Sequence, residues 1–302
     1  MGTVDELRLR CLTDPAEFLA VAGRFLAADP VISTVVSAVT HRAVSDLADG
    51  VAVPADSWWL VVTDGSGSVV GAGMRTARSW PRPLFLLPMS AAAAAALARE
   101  LHGRGEEVLG VNGVLPTARL CAEELARLGG GRVEVSIHMR LHELGELVPP
   151  SPVPGGLRAA GEQDLDLVIK WLDAFMGDAD EQAGRARGAS THEQPDADTV
   201  LRQVRVGRFR FWCDPSGQPV SMVGASPPAF GVSNIGPVYT PSGRRGRGLA
   251  SNAVAAVSRT LQAQGARVFL FTDQANPTSN RIYAALGYRP VVDTANLHIR
   301  RE

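Results

Sequence analysis

Residues 238–250 read Val-Tyr-Thr-Pro-Ser-Gly-Arg-Arg-Gly-Arg-Gly-Leu-Ala, the end of an apolar strand followed by a glycine- and arginine-rich turn that opens an amphipathic segment. Glycines let backbone N–H groups come close to an anion, and the start of a helix carries a partial positive charge. Arg244, Arg245 and Arg247 add full charges to the same turn. The stretch therefore predicts a phosphate-binding turn at a helix N-terminus. A solvated surface loop is the alternative for this turn taken alone.

The turn differs from the two commonest phosphate-binding motifs. It lacks the Gly-Lys-Ser/Thr ending of a P-loop, and it lacks the Gly-x-Gly-x-x-Gly pattern with a ribose-binding acid that marks a dinucleotide fold. It contains instead the pattern Arg-x-x-Gly-x-Ala, formed by Arg245, Gly248 and Ala250. The turn thus indicates a phosphate site of another type.

A second motif follows downstream, after the apolar segment 268–272, which predicts a buried strand. Asn276 is a favourable N-cap, and Gly287 suits the left-handed residue that ends a helix, so a short helix is predicted between them. Asn276, Asn280 and Tyr283 recur at helical spacing and form one polar face. A half-buried aromatic with its hydroxyl at the surface is the alternative role for Tyr283.

The two motifs, in this order, resemble those of the GNAT superfamily of N-acetyltransferases. In that family the arginine- and glycine-containing turn binds the pyrophosphate of coenzyme A. The matching asparagines contact the coenzyme A arm, and the matching tyrosine lies beside the thioester sulfur. The resemblance covers residues 157–302 in element order and residues 238–288 in motif. It implies that acetyl-CoA is the co-substrate and that an amine attacks the thioester carbonyl directly.

The resemblance also implies roles for individual residues. Tyr283 is the expected general acid that protonates the departing thiolate, and the backbone N–H of Val238 is the expected donor to the carbonyl oxygen. The strand that carries Val238 is expected to pair with the extended pantetheine. The implied cofactor-binding residues are Pro237, Val238, Tyr239, Thr240, Arg244, Arg245, Gly246, Arg247, Gly248, Leu249, Ala250, Thr272, Asn276, Asn280 and Tyr283.

The general base is not identified by the sequence. An alkyl amine has a pKa of roughly 10, so most of it is protonated at neutral pH. Many GNAT enzymes carry a glutamate on the strand before the phosphate turn, but this chain offers only Ser233, Asn234 and Tyr239 there. Four acids lie where family members often receive substrate, and each is alternatively a solvated loop residue: Asp173, Asp178, Asp180 and Glu181.

The identity of the acceptor also stays open. Trp171, Phe175 and Trp212 are candidates to line an acceptor pocket, although the helical spacing of the first two fits an ordinary core equally well. A small primary amine, an amino acid, an aminoglycoside-like compound and a protein amino group are all compatible with the sequence. The alternative function is a non-catalytic acyl-CoA sensor or regulatory protein. The presence of Tyr283 favours the enzyme, and the missing strand carboxylate favours the sensor.

Composition limits the remaining classes of function. The chain has 302 residues and a formal net charge of −1, which gives no bulk attraction to nucleic acid or membranes. Its three cysteines are widely spaced and show no metal-binding pattern, so neither disulfides nor a metal site are expected. Residues 1–6 do not resemble a signal peptide, and no apolar run reaches membrane-spanning length. We therefore expect a cytoplasmic protein; its oligomeric state is not indicated.

The chain is long enough for two domains. Residues 147–156 are dense in proline and glycine and predict a linker. Residues 157–302 predict the catalytic GNAT domain, including a helix near 162–176 and a polar loop near 177–198. Residues 1–146 repeat the same order of strands and helices, which indicates an internal duplication. The predicted fold is thus α+β, with two tandem GNAT-like domains, each a twisted, mostly antiparallel sheet flanked by helices.

The N-terminal half is predicted to have lost its cofactor site. Its turn at the equivalent position is Pro88-Met89-Ser90, which has no glycine or arginine and runs into six alanines. When the segments Leu115–Ala122 and Asn276–Tyr283 are aligned, Ala122 takes the place of Tyr283. Residues 1–146 are therefore expected to be a degenerate domain that binds no second coenzyme A.

Overall fold

A computed structural model describes residues 7–76, 82–187 and 196–301. The chain divides into two compact units, Met1–Met139 with Val292–Glu302 and Arg140–Val291. In chain order, the first elements are β1 (Arg8–Leu12), α1 (Pro15–Ala28), α2 (Thr34–Ala48), β2 (Trp58–Thr63), β3 (Val69–Arg75), β4 (Leu84–Leu86), α3 (Ala91–Gly103), β5 (Gly110–Val114), α4 (Thr117–Gly129) and β6 (Gly131–Leu144). They are followed by β7 (Gly156–Ala159), α5 (Leu165–Gln182), α6 (Ala197–Arg205), β8 (Phe209–Cys213), β9 (Pro219–Ala225), β10 (Val232–Tyr239), α7 (Leu249–Ala263), β11 (Arg267–Asp273), α8 (Pro277–Ala285) and β12 (Tyr288–Arg301).

Both halves of the chain have the same order of elements: strand, two helices, three strands, helix, strand, helix, strand. This order and the mixed fold class predicted from the sequence are confirmed. In the part of the chain that the structure describes, no helix is long and apolar enough to cross a membrane.

The first unit is a sheet with helices on both faces. Its strand order is β1-β2-β3-β4-β5-β12-β6, and β4 with β5 is a parallel pair whereas β1, β2 and β3 pair antiparallel. β2 shows how the faces are filled, because successive side chains on a strand point to opposite sides. Trp58 and Leu60 pack with α3 and α4, while Trp59 and Val61 pack with α1. A strand buried on both faces is a continuous apolar run, as residues 58–62 of β2 are.

The end of β12 belongs to the first unit. Residues Thr294–His298 pair antiparallel with Gly110–Val114 of β5. Ala295, Leu297 and Ile299 are buried in the same cluster as Leu97 of α3. The unit bounds therefore differ from the predicted domain limits, which kept residues 157–302 together. The alternating pattern of β12 predicts a strand but does not tell which neighbour it pairs with.

The predicted linker, residues 147–156, is held by hydrogen bonds to other parts of the second unit. The Val148 N–H donates to the Leu286 carbonyl at 3.0 Å, and Asn252 Nδ2 donates to the Ser151 carbonyl at 2.9 Å. Trp212 Nε1 donates to the Pro154 carbonyl at 3.3 Å. The prolines and glycines here keep the segment out of regular structure, yet side chains of the unit hold it in place.

The second unit has the strand order β6-β11-β10-β9-β8-β7. Strands β7 to β10 pair antiparallel with their neighbours, and β10 with β11 is parallel. One face packs on α7, through residues such as Val254, and the other packs on α5 and α6. Trp171 lies in this second core, edge-on to Phe211 with ring centroids 5.4 Å apart. Trp171 is thus a core residue, which is one of the two roles considered for it. Trp212, which was a candidate only for the acceptor pocket, is also buried in the core.

Helix α5 is longer than predicted. It runs to Gln182 instead of ending near residue 176, so residues 177–182 of the expected polar loop are helical. Gly177, the first residue of the predicted loop, is buried, and a Cβ there would lie 2.5 Å from the Arg187 guanidinium. The helix continues because Arg187 folds back over Gly177 and pairs with Asp178 and Glu181. The part of the predicted loop at 188–195 lies outside the described residues.

Candidate active site

The site begins where β10 separates from β11. The two strands pair only from Val232 opposite Arg267 to Asn234 opposite Phe269. β10 then continues to Tyr239 along β9, with an irregularity in register between Ile235 and Val238. Over this length the described residues of β11 do not pair with β10. An edge of unpaired backbone can accept an extended ligand as an additional strand.

The turn after β10 exposes the start of α7. Gly246 and Gly248 both have φ of +74°, a conformation that residues with a Cβ rarely adopt. Gly248 directly precedes the helix and has no side chain to cap it. The Asn252 N–H donates to the Gly248 carbonyl at 3.0 Å, and this is the first bond of the helix. The N–H groups before it have no partner within the helix, which makes the turn suited to an anion.

A pocket of about 330 Å³ joins this turn to α8 and α5, all in the second unit. Its volume falls within the range of small-molecule sites. The pocket brings together twelve of the residues predicted from sequence: Val238, Tyr239, Thr240, Arg244, Arg245, Gly246, Arg247, Gly248, Leu249, Ala250, Asn276 and Tyr283. Whether these residues bind a cofactor stays a prediction, but they line one cavity.

Three predicted residues do not line the pocket. Thr272 is buried, with Oγ1 3.2 Å from Nε2 of His142. Asn280 Nδ2 donates to the carbonyls of Asn276 at 2.9 Å and Asp273 at 3.1 Å, so it holds the turn before α8. Pro237 lies in the irregular part of β10, close to Gly224 of β9. Helical spacing placed Asn280 on the face of Asn276 correctly, but its amide donates to carbonyls of the preceding turn.

Tyr283 lies in a mainly apolar part of the pocket. Its ring packs edge-on against Tyr288, with centroids 5.8 Å apart and planes at 71°. The Tyr288 hydroxyl is in turn 2.7 Å from Ser258 Oγ. Burial, with a smaller contribution from Tyr288, raises the pKa of Tyr283 above its ordinary value. Tyr283 is therefore protonated at neutral pH and can serve as a proton donor.

One wall of the pocket was predicted only in part by the sequence analysis, which named Phe175 and Asp178 as candidates. It is the end of α5, where Phe175, Asp178, Ala179 and Gln182 line the cavity at spacings of three and four residues. Phe175 was considered for such a role, whereas Gln182 was not. The i, i+3, i+4, i+7 pattern is visible in the sequence only once the helix is known to pass Gly177. Asn276 links this wall to α8, since its Nδ2 donates to Gln182 Oε1 at 3.1 Å while its Oδ1 caps α8.

Of the four candidate acids, Asp178 is the one that lines this pocket. Its carboxylate forms an ion pair with Arg245 of the phosphate turn and a second with Arg187 at 3.0 Å. Asp180 is buried in a pair with Arg185 at 3.3 Å, and Asp173 and Glu181 are exposed. Burial, followed by the charge of Asp178, raises the pKa of Tyr239.

The comparisons with known proteins agree with this geometry. Residues 223–297 match the model of the FR47-like protein family. No curated protein matches the chain. A GCN5-related N-acetyltransferase from Sphaerobacter thermophilus is 16% identical over 97% of this chain and 95% of its own, with a TM-score of 0.60. A tandem GNAT protein from the clavulanic acid biosynthesis pathway is 16% identical over 98% of each chain, with a TM-score of 0.56.

A third structure, an acetyltransferase of the GNAT family from Colwellia psychrerythraea, is 11% identical over 98% of this chain and 100% of its own, with a TM-score of 0.56. The chain has the GNAT fold. The resemblance predicted from the two motifs is thus confirmed at the level of the fold. The likeness extends over nearly the whole chain, so it includes the N-terminal half, in which neither motif is present.

In the first unit, the positions equivalent to the GNAT phosphate turn and strand edge are closed. The Ser90 side chain caps α3 by accepting from the Ala93 N–H at 3.2 Å, and the Met89 N–H donates to Thr117 Oγ1 at 3.1 Å. All three residues of β4 pair with β5. Ala122 is fully buried in the core. This geometry supports the prediction of a degenerate half.

The described residues also show no group of three or more histidine, cysteine, aspartate or glutamate side chains placed to hold a metal ion. The donors at the pocket are backbone N–H groups, arginines and hydroxyls, which suit a phosphorylated ligand. Coenzyme A fits this donor set, because the glycine turn offers N–H groups without Cβ atoms in front of them and the edge of β10 is free for an extended arm.

Proposed function

We propose that this protein is an N-acetyltransferase that moves the acetyl group of acetyl-CoA to a primary amine. The observation that carries the proposal is the convergence of three features on one pocket: the open start of α7, the edge of β10 after Asn234, and the half-buried side chain of Tyr283. Each of these features has a separate physical use in acetyl transfer.

Binding falls to the turn and the strand edge. The N–H groups of Gly246 to Ala250 would hold the pyrophosphate, and Arg244, Arg245 and Arg247 would add charge-assisted hydrogen bonds. Val238 and Thr240 would hold the pantetheine through their backbone groups. When bound, acetyl-CoA supplies an acetyl group activated as a thioester.

The chemistry needs two further contributions from the chain. As the amine nitrogen bonds to the carbonyl carbon, negative charge would develop on the carbonyl oxygen, and the Val238 N–H would be the donor that stabilises it. As the carbon–sulfur bond breaks, Tyr283 would donate its proton to the sulfur, and the proton that the amine nitrogen loses would restore the tyrosine hydroxyl by way of solvent. The raised pKa of Tyr283 keeps that proton on the hydroxyl at the pH of the reaction.

A panel of amines tests the proposal. Free thiol released from acetyl-CoA is measured with and without each amine, and the acetylated product is measured by mass spectrometry. We expect release that depends on the amine and matches the product one to one. Binding of acetyl-CoA without transfer to any amine, including peptide amines, would instead support the sensor function.

A further inference from the structure

The ion pair between Asp178 and Arg245 crosses the pocket. Asp178 is on the α5 wall, and Arg245 is in the phosphate turn. Arg245 Nε also donates to the Thr240 carbonyl at 2.9 Å, so the guanidinium is held between the strand and the carboxylate. The side chain of Asp178 is 17% exposed and that of Arg245 is 37% exposed, so the carboxylate is the more buried partner.

A phosphate group bound at the turn would compete with Asp178 for this guanidinium. Both are anions, and each forms its strongest hydrogen bonds with the same Nη atoms. Two anions held close together in a partly buried pocket also repel each other. Binding of the cofactor would therefore leave less compensating positive charge next to the Asp178 carboxylate than Arg245 provides in the structure.

The other groups that face Asp178 compensate only part of its charge. Arg187 pairs with Asp178, but it is 54% exposed and is shared with Glu181, to which it donates at 3.3 Å. The Tyr239 hydroxyl is neutral, and the Asp178 charge raises its pKa further. When a phosphate group occupies the turn, the Asp178 carboxylate at the pocket wall is only partly compensated, and binding of another cation there becomes favourable.

We propose that Asp178 binds a positively charged group of the acceptor, so that the enzyme selects amines that carry a second cationic group besides the one that is acetylated. This inference rests on the proposed function. The position of Asp178 supports it, because the carboxylate lines the same pocket as Val238 and Tyr283, and its neighbour Tyr239 follows Val238 directly on β10. A diamine is the simplest acceptor of this class.

The test uses three acceptors of equal chain length: a diamine, an amino alcohol and an amino acid with a terminal amine. In the wild type we expect the diamine to have the highest kcat/KM. Asp178→Asn should lower kcat/KM for the diamine about tenfold or more, through loss of a charged hydrogen bond. It should change the value for the amino alcohol by no more than about twofold, on the order of a weak surface contact. The matched control is Asp173→Asn, an exposed residue of the same helix, which should behave like the wild type.

Binding measurements separate this inference from the proposed function. Asp178→Asn should bind acetyl-CoA about two- to fivefold more tightly, because Arg245 is released from a partly exposed pair. Calorimetry should show that the wild type, but not Asp178→Asn, binds the diamine more tightly when coenzyme A is present. Equal diamine preference and equal diamine binding in the two proteins would overturn the role of Asp178. Absence of transfer by the wild type to every amine would overturn the proposed function and leave the binding result to decide the role of Asp178.

Discussion

Gly248 is the position at which the phosphate turn is most sensitive to substitution. Gly248→Asp would place a Cβ in the left-handed region, at φ of +74°, and a would-be Cβ lies 3.3 Å from Val153 Cγ1. The backbone strain costs about 1–2 kcal/mol. A carboxylate about 4 Å from a phosphate adds a repulsion of about 4 kcal/mol at an effective dielectric constant near 20, and solvent at this exposed turn reduces it. We expect a loss of about 2–3 kcal/mol in acetyl-CoA binding, roughly 30- to 150-fold in Kd.

Titration calorimetry with acetyl-CoA measures this loss, and Gly265→Asp is the control. Gly265 follows the other end of α7, has φ of +80° and has nothing within 4 Å of a would-be Cβ. The Gly265→Asp substitution therefore introduces the same backbone strain and the same charge at a distance from the phosphate turn. A folded Gly248→Asp variant with a Kd within threefold of wild type would refute the phosphate site, as would an equal loss in Gly265→Asp.

Three other results are expected. Tyr283→Phe should lower kcat about ten- to a thousandfold with little change in the Kd of acetyl-CoA. An unchanged kcat in this variant would rule out Tyr283 as the proton donor. Because burial raises the Tyr283 pKa above 10.0, the wild-type rate should show no loss from tyrosine ionisation up to that pH. Leu297→Ala, at a fully buried position of β12, should lower the free energy of unfolding by about 2–5 kcal/mol in denaturant titrations, whereas a loss below about 1 kcal/mol would contradict its place in the core. Calorimetry should give a stoichiometry of one coenzyme A per chain. A stoichiometry of two would contradict the prediction that residues 1–146 have lost their cofactor site.

The sequence predicts the order of elements well, because that order depends on local patterns. The continuous apolar run of β2 and the marked ends of α8 are encoded by neighbouring residues. The pairing of β12 with β5 depends on residues far apart in the chain, and the alternating pattern of β12 fits several neighbours. The length of α5 was misjudged for a related reason. Gly177 weakens a helix locally, but tertiary contacts with Arg187 override its low propensity.

The parts of the candidate site that depend on backbone conformation were predicted better from the sequence than the parts that depend on side-chain partners. The glycine turn and the strand edge are defined by conformation, so the motif around Gly248 locates them directly. Side chains with a choice of partners were harder to place. Asn280 is on the predicted helix and at the predicted spacing, yet its amide bonds three carbonyls of the preceding turn and helix. Thr272 is on the predicted strand, but its side chain is buried beside His142.

The two halves of the chain share an order of elements and differ at the N-terminus of one helix. In α3 the serine before the helix satisfies an N–H group with its own side chain, and the residue before it donates to Thr117. In α7 a glycine in the left-handed conformation occupies the equivalent place, so no side chain of that residue caps the N–H groups. Neither arrangement changes the fold, because in both halves a helix begins at the same point in the order of strands and helices. A capped start stabilises the helix by itself, whereas an uncapped start leaves donors for a ligand, and binding energy then depends on that ligand. Since the Ser90 side chain already accepts from one of these donors, adding arginines to the Pro88-Met89-Ser90 turn would not be enough to recreate the donor set of α7 there; the cap at Ser90 would have to be removed as well.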